Sequence, residues 1–92
     1  MNMLIKDYRD LEVGELYKLR NEDRRYFSLG IRTSKCMNYI FDSISEEYEL
    51  GTPMMYLGYE IHVMGWVFLK FLVNGVIGYI RNSTNNSYEH MS

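Results

Sequence analysis

Few residues of this chain are of a type that supports catalysis or metal binding, and they are scattered. The two histidines, His62 and His90, have no second ligand at helical spacing, so the sequence does not indicate a zinc site. The single cysteine, Cys36, follows Lys35 but belongs to no recognisable Cys-His arrangement, which favours a small core residue over a nucleophile. We therefore expect no catalytic residue, no metal and no cofactor, and predict a protein that is not an enzyme.

An acidic run is the main source of carboxylates that acid-base chemistry would need. Its residues are Asp42, Glu46, Glu47 and Glu49. Nothing in the neighbouring sequence would perturb their pKa values, so a solvated turn is the simpler interpretation. Ser43 and Glu46 have the spacing of a capping box, which predicts one helical turn over residues 44–49.

Basic residues in the first third of the chain raise nucleic-acid binding as an alternative function. They lie near Tyr26 and Phe27, which supply aromatic surface for base stacking. Glu22 and Asp23 interrupt this stripe, and the net charge of the chain is −2, which disfavours a polyanionic partner. The candidate nucleic-acid contacts are Arg20, Arg24, Arg25 and Arg32.

A β-hairpin in the second half of the chain is the clearest element that could position a site. Residues 66–73 and 76–80 are rich in Val, Ile, Phe and Trp. Asn74-Gly75 between them suits the positive φ angles of a type I′ turn. A two-residue turn fixes the register, placing Val73 opposite Val76 and Phe68 opposite Arg81.

Lys70 indicates which face of this hairpin points to solvent, because burying an unpaired ammonium group is costly. Residues of the opposite parity should form the core: Val67, Leu69, Phe71, Val73, Val76 and Ile80. The outer face then carries Trp66, Phe68, Leu72, Ile77 and Tyr79, with only Lys70 and Arg81 to solvate it. Because monomers rarely expose so large an apolar face, we expect it to be an interface with another protein or with a second copy of the chain. The other possibility is that the N-terminal arm packs over Trp66.

Several short motifs between residues 50 and 81 resemble the later half of bacterial SH3-like (SH3b) domains. The matching residues are Leu50-Gly51-Thr52, Tyr56-Leu57-Gly58, Gly65-Trp66, Leu69, Gly75 and Gly78-Tyr79-Ile80. The resemblance implies a mainly β fold, a single small SH3-like barrel of five to six strands. It also implies peptide binding beside the Trp that opens the fourth strand, a place that Trp66 occupies. Tyr79 and Tyr59 join Trp66 as partner-binding candidates on this basis.

The remaining segments predict three regions within one domain of 92 residues. Residues 1–14 form an N-terminal arm or short helix, because Leu4, Ile5, Tyr8 and Leu11 have helical spacing. Residues 15–81 form the barrel, with a strand over 15–20 and a second hairpin that pairs 26–32 with 36–41. Residues 82–92 form a polar tail that should be loose unless a partner orders it.

Composition limits the setting in which the protein works. A single cysteine indicates a reducing compartment, and the start of the chain lacks the apolar segment of a signal peptide, so we expect synthesis in the cytoplasm. Residues 61–80 are long enough for a membrane span, but a central lysine costs about 2.5 to 3.5 kcal/mol, which favours a soluble hairpin. The short length and the Asn, Tyr and Met richness are compatible with a bacteriophage protein. We expect an assembly module, either a virion accessory (decoration-type) protein or a host-interaction protein.

Overall fold

The computed structural model describes residues 4–31, 45–62 and 65–91. These residues form one sheet of antiparallel strands that curls into a half-barrel, in the spatial order β1-β8-β2-β5-β6-β7-β3-β4. The eight strands described exceed the five to six that the sequence predicted, whereas the mainly β class is confirmed. Their bounds are β1 Leu4–Ile5, β2 Leu16–Arg20, β3 Tyr26–Gly30, β4 Ser45–Glu49, β5 Met54–Ile61, β6 Val67–Val73, β7 Val76–Arg81 and β8 Ser87–His90.

The β6–β7 hairpin has the predicted turn and register. Asn74 and Gly75 have φ angles of 49° and 80°, as a type I′ turn requires. Val73 pairs with Val76, and the ladder continues in register to Phe68 opposite Arg81. The two apolar runs and their turn therefore determine this element locally.

The core lies on the inner face of the curled sheet. Leu69, Phe71 and Val73 of β6 are fully buried, and Ile80 of β7 is 6% exposed, as the position of Lys70 predicted. Alternate residues of the other strands complete the core, because successive side chains of a strand point to opposite faces. They are Tyr17 and Leu19 of β2, Phe27 and Leu29 of β3, Met54 and Tyr56 of β5, and Tyr88 of β8.

The partner of β3 is β4, which lies where a helical turn was expected. Tyr26 to Gly30 pair with Glu49 to Ser45, and the ring of Tyr48 stacks on Phe27 with 5.6 Å between centroids. The helical prediction for residues 44–49 is therefore wrong over 45–49. A capping box is a weak local signal, and packing of Tyr48 against the core overrides it. The other half of the hairpin predicted for residues 26–32, residues 36–41, lies outside the described residues.

The N-terminal segment contains β1 and one 3₁₀ helix at Tyr8–Asp10, in place of the predicted short helix. Asp7 caps this turn, because its carboxylate accepts a hydrogen bond from the Arg9 N–H at 2.9 Å. Leu11 then enters the core. The apolar residues at helical spacing therefore belong to an N-terminal arm that packs on the sheet and contains a single 3₁₀ turn.

The polar tail is also ordered, contrary to the sequence expectation. Ser87–His90 form β8, which lies between β1 and β2. Tyr88 is only 1% exposed, because its ring belongs to the central core. No helix among the described residues is long and apolar enough to cross a membrane.

Candidate functional site

The structure divides the predicted outer face of the hairpin into two exposed ends and a buried middle. Trp66 and Ile77 are 46% and 49% exposed, and Leu72 is partly buried. Phe68 and Tyr79 are each only 4% exposed and form a second, smaller apolar cluster. The middle of the outer face is therefore already covered within the described chain, whereas Trp66 and Ile77 remain exposed.

His62 contributes to this second cluster. Its ring lies edge-on to Phe68, with 5.1 Å between ring centroids. Packing of this kind cannot be read from the alternation of one strand, because it depends on a residue beyond the end of β5. His62 thus acts as a packing residue on the outer face.

Trp66 is the most prominent exposed aromatic side chain at the start of β6. The guanidinium of Arg81 lies 4.2 Å from the centroid of a Trp66 ring, within the range of a cation–π contact. Arg81 reaches it because it pairs with Phe68, whose side chain shares the outer face with Trp66. The contact restrains the indole while leaving nearly half of it accessible.

Tyr59 does not lie with Trp66. The register of β5 against β6 shifts between Tyr56 and Gly58, and Tyr59 then pairs with Leu69, a core residue. Tyr59 therefore lies on the inner side of the sheet, near its end. Its ring contacts Tyr8 of the 3₁₀ helix edge-on at 4.9 Å, and it is 48% exposed.

The predicted basic residues do not form one stripe. Arg20 pairs with Glu89 across β2 and β8 at 3.2 Å, which neutralises part of its charge. Arg25 is exposed, and its carbonyl accepts a hydrogen bond from the Leu50 N–H at 2.9 Å. Arg24 lines the cleft described next, and Arg32 lies outside the described residues.

A cleft of about 350 Å³ opens between β3 and β7, and we refer to it as the seam cleft. Its floor consists of apolar side chains from the core and its border. Its rim comes from the loop after β2 and the loop after β7. The floor residues are Leu19, Phe27, Leu50 and Ile80, and the rim and wall residues are Asn21, Arg24, Tyr26, Ser28, Arg81, Ser83, Asn85 and Asn86.

One side-chain hydrogen bond links the two rim loops, and a second one orders the loop after β2. The Asn21 amide donates to the Asn86 side-chain oxygen at 2.8 Å, and the Asn21 oxygen accepts from the Asp23 N–H at 2.9 Å. Sequence reasoning did not identify this cleft, because the charged loop after β2 and the polar tail are far apart in the sequence. Nothing in the composition of either segment indicates that Asn21 and Asn86 meet.

Several of the residues considered for catalysis or metal binding contact other side chains or lie exposed on a strand. His90 approaches Glu15 at 3.3 Å, far along the sheet from the seam cleft rim. The Tyr48 hydroxyl donates a hydrogen bond to Glu46, which raises the pKa of Tyr48. The carboxylates of the acidic run that the structure describes lie on β4 and are exposed. Among the described residues no three His, Cys, Asp or Glu side chains are grouped to hold a metal, and Cys36 is outside them.

Protein-family models, curated proteins and solved structures give no match to the chain. Function is therefore inferred from the residues and their geometry alone.

Proposed function

We propose that this chain is a non-enzymatic protein-binding module built on a small SH3-like barrel, with Trp66 at the centre of its partner surface. The observation that carries the proposal is the half-exposed Trp66 ring beneath the Arg81 guanidinium. The Gly-Trp resemblance to SH3b domains supports it, because a Trp at this place borders the peptide site of such barrels. Assembly of a bacteriophage particle, in the cytoplasm where the protein is made, is the setting that its composition favours.

The physical basis is the cost of leaving an indole in water. An aromatic side chain buries about 150 to 250 Å² when covered, which makes it a strong contributor to association. Tryptophan and arginine are also enriched among residues that dominate binding energy. The cation–π contact holds Trp66 in place before binding, so that less side-chain entropy is lost when a partner covers it.

Ile77 and Leu72 extend this surface only partly. They lie at the turn end of the hairpin, while Trp66 and Arg81 lie at the other end, with the buried pair Phe68 and Tyr79 between them. The partner surface is therefore centred on Trp66 and Arg81. Tyr59 belongs to a different side of the sheet.

Nucleic-acid binding has less support. The Arg20 pair with Glu89 and the acidic residues Glu22 and Asp23 in the next loop reduce the positive potential there. A polyanion would need several unpaired cations on one face.

A photo-crosslinking amino acid at position 66 tests the proposal in the cells that produce the protein. We expect a specific crosslinked protein, either a second copy or a different chain. The same amino acid at Val13, which is 68% exposed and lies in the turn before β2, is the control and should give no such product.

With the captured partner purified, Trp66→Ala should raise the dissociation constant by about 30-fold or more, a loss of about 2 kcal/mol that is typical of a hot-spot residue. Val13→Ala should leave it unchanged. Absence of a crosslink at position 66, together with a monomer in sedimentation at millimolar concentration, would remove Trp66 as the interface.

A further inference from the structure

Among the described residues, the ladder between β3 and β7 contains a single pair. Gly30 pairs with Tyr79, and continuation of that register would place Ser28 opposite Arg81. No such pair forms among the described residues, and the seam cleft opens at this point, lined by Ser28 and Arg81. Two strands of one sheet therefore diverge around a cleft.

Strand geometry determines which main-chain groups face this cleft. The Leu50 N–H donates to the Arg25 carbonyl at 2.9 Å, so the peptide groups of Arg25 point toward β4. Peptide groups of every second residue in a strand point to the same neighbour, so those of Phe27 also point toward β4. The peptide groups of Tyr26 and Ser28 then point away from β4, toward β7. An N–H and a C=O from each of these residues thus border the cleft.

The same alternation applies to β7. The Asn82 N–H donates to the Val67 carbonyl at 2.9 Å, so Asn82 and Ile80 direct their peptide groups to β6. Arg81 directs its peptide group to the β3 side, while its side chain stacks on Trp66. Rows of strand donors and acceptors that lack a continuing neighbour are a template for an added strand.

The cleft also has an apolar floor and a cationic rim. Leu19, Phe27 and Ile80 are each no more than 6% exposed in the core beneath it. None of its described lining residues is Asp or Glu, and Arg24 forms no ion pair with any residue that the structure describes. Glu22 and Asp23 instead line a separate cleft of about 260 Å³.

We propose that the seam cleft binds the extended C-terminal end of a peptide from another protein. The peptide adds its main chain to the edge at Tyr26 and Ser28, places an apolar side chain on the floor, and directs its terminal carboxylate to Arg24. A cleft of about 350 Å³ lies at the small end of the ligand-site range of about 300 to 1,000 Å³, which suits a chain end. This inference rests on the proposal that the chain binds proteins, but it concerns a cleft that Trp66 does not line; Arg81 borders both sites, since its side chain contacts Trp66.

The test uses the full chain and acetylated hexapeptides that end in a free Leu, Val or Phe carboxylate, each paired with its C-terminal amide. Binding is followed by fluorescence polarisation and by backbone amide shifts in NMR. We expect millimolar or tighter binding of a free-carboxylate peptide, with shifts at Tyr26, Ser28 and Arg81. Its amide should bind more weakly, because a charge-assisted hydrogen bond is lost.

Arg24→Glu and Arg25→Glu form a matched pair, since both remove one exposed cation from the same loop but only Arg24 lines the cleft. Arg24→Glu should weaken binding about tenfold or more, and Arg25→Glu should not. Trp66→Ala should leave peptide binding unchanged, so the two proposals can fail separately.

Three outcomes would overturn the inference. One is that none of the peptides shifts the cleft amides at millimolar concentration. Another is that the two arginine variants lose binding equally, which would indicate a diffuse effect of charge. The third is that an oligothymidine shifts these amides while the peptides do not, which would assign the cleft to single-stranded nucleic acid.

Discussion

Tyr88 places a polar group in the centre of the core. Its ring stacks on Phe71 with 5.7 Å between centroids, and its hydroxyl is buried with no hydrogen-bond partner among the described residues. Burial raises the pKa of Tyr88. Burial likewise raises the pKa of Tyr56 to about 12. Both phenols are therefore kept protonated by the fold.

Because these pKa values are raised in the folded chain, the free energy of unfolding should decrease at alkaline pH. In the unfolded chain the two phenols ionise near their ordinary pKa of 10.0, while in the folded chain they keep their protons. The unfolded state then binds fewer protons, so the free energy of unfolding should be constant up to about pH 9 and fall as the pH rises further. Urea titrations between pH 7 and pH 12 measure this.

Tyr88→Phe should reduce that alkaline loss and leave stability at pH 7 equal or higher, because the ring packing stays and an unpaired hydroxyl is removed. The exposed Tyr26 gives the control, and Tyr26→Phe should change neither quantity. A loss of more than about 1 kcal/mol at pH 7 for Tyr88→Phe would mean that the hydroxyl is hydrogen-bonded after all.

Individual residues of the hairpin show how far the sequence pattern predicts burial. Lys70 correctly indicated that Leu69 and Phe71 are core residues. Alternation placed Phe68 and Tyr79 on the outer face, but it does not say what covers that face, and within the described chain both side chains are buried. The outward position of Trp66 follows from the same alternation, and its contact with Arg81 follows from the predicted register.

At the scale of elements, Gly78 is the point where β3 crosses close to β7. A methyl group at this position would overlap the Leu29 side chain and would lie 2.8 Å from the Gly30 oxygen. Gly78 is therefore required for space, whereas Gly75 is required for its φ of 80°. Beyond this crossing the two strands separate.

Gly78→Ala should destabilise the fold by about 1 to 3 kcal/mol, because overpacking displaces β3 from the core. Urea unfolding of Gly78→Ala, Leu29→Ala and the double variant forms a cycle. We expect the double variant to be more stable than the sum of the single losses implies, since Leu29→Ala frees the space that the new methyl group enters. Additive losses would show that the crossing can widen without involving Leu29.

The elements that sequence reasoning predicted well are those with local causes. The β6–β7 hairpin follows from one turn and two apolar runs, and β2 follows from the alternation of Tyr17 and Leu19. In contrast, β4 and β8 are defined by their neighbours, because their own polar residues carry weak strand signals. The seam cleft depends on the position of β3 against β7, which no local pattern encodes.

At the scale of the whole molecule, β8 joins the two ends of the described chain. It pairs with β1 through Leu4 and Ile5 and with β2 along Tyr17 to Arg20. It also supplies Tyr88 to the core. Without β8, the edge of β2 would be open and β1 would lose its described partner.

A chain shortened to residues 1–82 should therefore lose cooperative unfolding, because removal of a large buried ring alone costs about 3 to 5 kcal/mol. Thermal unfolding followed by near-ultraviolet circular dichroism measures this. Arg20→Gln, which removes the exposed ion pair to Glu89 but keeps the strand, should stay folded with a loss under about 1 kcal/mol. A cooperative transition in the shortened chain would make β8 an accessory strand.

The insertion of β8 between β1 and β2 also affects the order in which the protein is made. The ribosome completes β2 long before β8, and β5 covers β2 through only two pairs, Leu16 with Met55 and Tyr17 with Met54. Throughout that interval the nascent chain carries an open, partly apolar strand edge, the kind of surface that recruits chaperones or aggregates. Pairing across so long a separation in sequence is slow to form. The time taken to translate residues 21–90 thus sets how long this edge is exposed to misassembly.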